Sequence, residues 1–89
     1  MALPAVPLAT ATVEVGGADV DIRSLSRDEV TSLSKYGDDT ASAETFMLSR
    51  ACSITEDEAR EWRKTVSAPT AGDLLAAIAR ISGLALGEA

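Results

Sequence analysis

At 89 residues and 46% hydrophobic, the chain is long enough for one domain with a modest core, in a size range that buries about two-thirds of its unfolded surface. A net charge of −6 and a pI near 4.4 give a field that repels phosphate backbones, and the basic residues are scattered, so nucleic acid is not an expected ligand. Neither a histidine nor a second cysteine is present, and no run approaches the ~20 apolar residues that cross a bilayer, which removes the commonest general base, an internal disulfide and a membrane partner from the expectations.

Large side chains are few (Phe46, Trp62, Tyr36) and many apolar positions are alanine, so stability is expected to be marginal, with a second copy of the chain or another partner open as a further contribution. The opening "MALPAVPLATA" is apolar but lacks the positively charged start of a secretory signal. A soluble cytoplasmic protein is expected. Residues 1–10, with Pro4 and Pro7 and no period, read as a flexible leader; the alternative is a segment that orders against a partner. One small domain is expected over 11–86, with a short tail at 87–89.

From Ala11, apolar residues alternate with polar ones: Val13 and Val15 before Gly16-Gly17, then Ala18, Val20 and Ile22. This predicts a β-hairpin with one buried face. A two-residue loop pairs Val15 with Ala18 and sets Glu14 opposite Asp19; a four-residue loop pairs Val15 with Val20 and sets Glu14 opposite Asp21. Like charges meet in both, so charge leaves the two registers open.

Ser26 followed by Glu29 is a capping-box signature, and Leu25 with Val30 has the spacing of a hydrophobic staple, predicting a helix that ends near Gly37. A second helix is expected from Asp39 or Thr40 to about Cys52, with Ala43, Phe46, Met47 and Ala51 in phase. Thr55 with Glu58 opens a third, whose thin apolar stripe is Ala59, Trp62 and Val66. Beyond Pro69, Thr70 with Asp73 is read as the cap of a fourth helix bearing Leu74, Ile78 and Ile81, with Gly83 as its terminating glycine. The expected fold class is therefore α+β: an N-terminal β-hairpin followed by three or four short α-helices.

No catalytic, cofactor or metal site is expected. Glu56-Asp57-Glu58 reads as the acidic first turn of a helix, since adjacent helical residues point apart. Asp38-Asp39 lacks the spacing of a calcium loop, and the glycines form no phosphate-binding pattern. Cys52, with no histidine to act as a base, reads as a small buried apolar residue. Trp62 is in phase with Ala59 and Val66 and reads as core rather than as a stacking platform. The tail "LLAAIARISGLALGE" has the outline of a helix-turn-helix end, but offers phosphate only Arg80.

The order of these features carries more than any one of them. The hairpin "VEVGGADVDIRSLSRDEV", an acidic spacer, a "FMLSRAC" helix, "TEDEAREWRKTVSAPTAGDLLAAI" and a closing "ARISGL" resemble the small tail assembly chaperones of long-tailed bacteriophages over about residues 11 to 84. The specific parts are "IRSLSRDE" and the terminal Ile-x-x-Ile-Ser-Gly-Leu, Ile78 to Leu84. The resemblance implies a non-catalytic protein that binds the long, apolar, helical tape measure protein, keeps it soluble in the host bacterial cytoplasm, helps recruit tail tube subunits, and leaves before the virion is complete. It also implies that this chain corresponds to the short form of a pair whose longer, frameshifted form is a further partner. The family lends no residue-level binding motif.

Leu74, Leu75, Ile78, Ile81 and Leu84 are more large apolar residues than one side of a thin core requires. Part of that surface, together with Leu86 and the leader, is the expected partner face. The competing expectation is that all of it packs on Phe46, Trp62 and the hairpin. Two other functions stay open at this point: a minor structural or connector protein retained in the virion, and a small helix-turn-helix-like regulator.

Overall fold

The computed structural model describes residues 3–84; Leu86, the expected tail at 87–89 and the first two leader residues lie outside the described residues. The chain forms β1 (Thr10–Val15), β2 (Ala18–Arg23), α1 (Arg27–Ser32) running into a 3₁₀ turn (Leu33–Tyr36), α2 (Thr40–Cys52), α3 (Glu56–Thr65) and α4 (Ala68–Ile81). Strands are segregated from helices, so the fold is α+β.

The hairpin adopts the two-residue loop, pairing Val15 with Ala18, Val13 with Val20 and Ala11 with Ile22. Gly16 and Gly17 decide it: both have positive φ (58° and 86°), the pair of values that a tight turn matched to strand twist demands. Glu14 faces Asp19 across the ladder, a like-charge opposition that the glycine turn outweighs. On the same solvent face, the Thr12 hydroxyl donates to Asp21 at 2.9 Å.

Both expected capping boxes form. In α1 the Ser26 hydroxyl accepts from the Glu29 N–H while the Glu29 carboxylate accepts from the Ser26 N–H; Thr55 and Glu58 do the same in α3. The expected start of α4 requires correction. Its N-cap is Ser67, whose hydroxyl accepts from the Thr70 N–H, and Pro69 lies inside the first turn rather than before the helix. Proline is tolerated there because a first-turn N–H has no intrahelical acceptor. The far end closes as expected on Gly83 (φ 76°), with Leu84 N–H donating to Ala79 C=O at 2.8 Å and Gly83 N–H to Arg80 C=O at 3.1 Å.

The core gathers Ile22, Leu25, Leu48, Ala51, Ala59, Leu74 and Ile78, one or two residues from each of β2, the strand-to-helix link, α2, α3 and α4. α2 packs on β2, α4 on β1 and β2, and α3 on α2. Leu48 (1% exposed) and Ile78 (0%) are the largest fully buried side chains, and Ala59, with no exposed surface, marks where α3 closes on its neighbours. Leu48 lies just outside the stripe through Ala43, Phe46, Met47 and Ala51, beyond its Ala51 edge, so helical phase alone does not mark it as core. Phe46 is buried apart from this cluster, with Tyr36 at 5.9 Å between ring centroids and the Arg50 guanidinium 5.0 Å from its ring centre.

The two segments most specific to the resemblance meet in the fold. Leu25 N–H, at the exit from the hairpin, donates to the Ser82 hydroxyl at 2.8 Å, and Arg23 makes a two-pronged ion pair with Glu29 (2.8 and 2.9 Å). "IRSLSRDE" and "ISGL" thus lock the link after the hairpin to the end of α4.

Candidate binding groove

With Ser67 setting the start of α4 and Asp39 that of α2, the two helices leave a trough between them. The Asp39 carboxylate accepts from both the Ser42 hydroxyl (2.7 Å) and the Ser42 N–H (3.1 Å), contacts that hold it below the usual carboxylate range. One cleft of about 400 Å³ is lined by Glu44, Met47, Gly72, Leu75, Ala76, Ala79 and Leu84. A second, of about 250 Å³, shares Glu44, Gly72 and Leu75 and continues toward Val66, Ala68 and Ala71. Together they run along α4 from its first turn to Leu84. The small residues Ala71, Gly72 and Ala76 keep the trough open, and a Cβ added at Gly72 meets no atom within 4 Å.

One polar contact borders the trough. Glu44 on α2 accepts from Arg63 on α3 at 2.9 and 3.1 Å, joining the two helices and neutralising the charge beside the apolar lining. The rest of α3 turns acidic and basic groups to solvent: Arg60 pairs with Glu56 and Asp57, and Lys64 with Glu61. The Glu56-Asp57-Glu58 run is thereby divided between the capping box and Arg60.

The five residues expected to form a partner face separate. Leu74 (3% exposed) and Ile78 belong to the core and are unavailable to a partner in the folded chain. Leu75, Ile81 and Leu84 are half-buried, and of these Leu75 and Leu84 line the trough. Met47, Gly72 and Ala76, which the sequence reading did not assign to a partner face, complete it. The helical period holds the signal: Gly72 and Ala79 lie three and four residues from Leu75, and Ala76 lies four from Gly72 and three from Ala79, on one side of α4.

A separate apolar hollow of about 320 Å³ lies between the hairpin and α3, lined by Val15, Val20, Leu48, Cys52, Ile54, Glu58, Trp62 and Leu74. Trp62 is half-buried against the core, as its phase with Ala59 predicts. Cys52 is the last residue of α2, half-buried, and burial pushes its thiol up, away from the thiolate that nucleophilic chemistry needs. Among the described residues no three of His, Cys, Asp and Glu converge in a way that holds a metal ion, and no helix is long and apolar enough to cross a membrane. No protein-family model, curated protein or solved structure matches this chain.

Proposed function

We propose that this protein is a non-catalytic tail assembly chaperone of a long-tailed phage, acting in the host cytoplasm to bind the tape measure protein and keep it soluble while tail tube subunits are recruited. The observation that carries this reading is the α2–α4 trough. Its wider cleft is largely apolar on an otherwise acidic protein, lined by Met47, Leu75, Ala76 and Leu84 beside the Glu44–Arg63 pair and opened by Gly72. An amphipathic helix lays its apolar side chains into such a groove at three- and four-residue spacing. The surrounding negative charge keeps a complex with an apolar client in solution. The order of sequence features, which resembles that of the tail assembly chaperones, supports the tape measure protein as the client.

Co-expression with the tape measure protein of the same genome tests this. A soluble client that co-purifies in fixed ratio is the expected result. A client that aggregates equally with and without the chain contradicts it, and finding the chain in purified particles would favour a structural virion component instead.

A further inference from the structure

Among the described residues the hairpin is a two-stranded sheet, so each strand has one free edge, and the two edges differ in chemistry. The register fixes which backbone groups face outward. Ser24 N–H donates to Ala9 C=O at 2.8 Å, continuing the ladder one step past Thr10–Arg23, so the odd-numbered residues of β1 bond to β2. Thr10, Thr12 and Glu14 therefore turn their N–H and C=O groups away from β2, and all three residues are exposed. On the opposite edge the outward groups belong to Asp19, Asp21 and Arg23.

We propose that the β1 edge pairs antiparallel with the β1 edge of a second copy of this chain, about a two-fold axis at Thr12, giving a four-stranded sheet. In that register Thr12 faces Thr12, and each Thr10 faces the partner's Glu14. About six backbone hydrogen bonds form and no like charges oppose one another. Ala11 faces the partner's Val13 on the apolar side, covering methyl groups that the helices leave partly exposed. The same operation on β2 would centre on Asp21, setting one carboxylate against another, and would need Arg23, already held by Glu29, to offset each Asp19, so charge favours β1. β1 has none of the devices that block edge pairing: no lysine, no proline and no bulge between Thr10 and Val15. This pairing does not depend on the proposed client, and no residue of β1 lines the α2–α4 trough.

The test is a matched pair of proline substitutions. Thr12→Pro removes an outward N–H from β1 and Asp21→Pro removes one from β2; neither N–H bonds within the hairpin, and both substitutions break the same Thr12–Asp21 side-chain contact. Sedimentation velocity over roughly 10 μM to 1 mM covers the range in which a small interface dissociates. The expected result is self-association of the wild type and of Asp21→Pro, with Thr12→Pro monomeric throughout. Amide exchange on the wild type reports independently of whether either variant folds: protection at Thr10, Thr12 and Glu14 should rise about tenfold or more with concentration, and that at Asp19, Asp21 and Arg23 should not. A wild type that stays monomeric across the range, a Thr12→Pro chain that dimerises like wild type, or concentration-dependent protection on the β2 edge overturns the proposal.

Discussion

Leu74 and Leu75 are neighbours in sequence and lie on opposite sides of one boundary. Leu74 points with Ile78 into the packed centre against Leu48, whereas Leu75 borders the trough with Met47, Gly72 and Leu84. The same side chain is core in one position and trough lining in the next because successive helical residues are turned by about 100°. One face of α4 is satisfied within the chain and the other is apolar and open.

The largest effect should come from cutting the inward face. Ile78→Ala removes a fully buried side chain and should cost about 3 kcal/mol, read as a lower denaturant midpoint with an unchanged slope. Leu75→Asp, one face over, should cost about 1 kcal/mol or less while abolishing client solubilisation. If the two variants destabilise equally, the trough is part of the core and the distinction between the faces fails.

Ser82→Ala comes next. It strands the N–H of buried Leu25 and should cost about 1 to 2 kcal/mol, with client binding unchanged in the folded fraction. That outcome would place the two most distinctive sequence segments on the side of fold maintenance rather than client contact.

The Arg23–Glu29 pair sharpens the comparison through pH. The Arg23 guanidinium hydrogen-bonded to Glu29 holds that carboxyl at about 2 against an ordinary value of 4.5, assisted by the Ser26 N–H. A depressed folded-state value contributes stability that is complete above the ordinary value and lost as the pH falls toward 2. Solvent reaches both side chains, so the contribution is about 1 kcal/mol. Glu29→Gln, which retains an acceptor for the capping box, should flatten the acid limb of the stability curve between those values, and an unchanged limb would show that the pair contributes nothing. The smallest effect is a gain. Asp19→Thr removes the charge facing Glu14 and should raise stability by about 0.5 kcal/mol in thermal unfolding.

Local chemistry made most of the fold legible in the sequence. The glycine pair, the Ser26 and Thr55 capping boxes and the Gly83 terminator each act within five residues, and each holds. Two features depended on distance or competition and were not legible. The hairpin register stayed open because both loops oppose like charges, and the positive φ of Gly16 and Gly17 decided it. The α4 cap went to Ser67 over Thr70 because Pro69 fits a first turn as well as it ends a preceding one.

The candidate site was half legible. The apolar excess of α4 was visible, but its division between core and trough depends on where α2 lies, and Met47 and Gly72 acquire a role only once the two helices are side by side. Ser82 shows the same limit, since its partner Leu25 is 57 residues away.

Gly72→Leu separates client binding from folding, because it fills the trough from a helical position where an added Cβ meets open space and replaces a poor helix former with a good one. The expected protein is at least as stable as wild type, by thermal unfolding, and no longer keeps the co-expressed tape measure protein soluble. A stable Gly72→Leu protein that solubilises and co-purifies with the client at the wild-type ratio would contradict client binding in the trough.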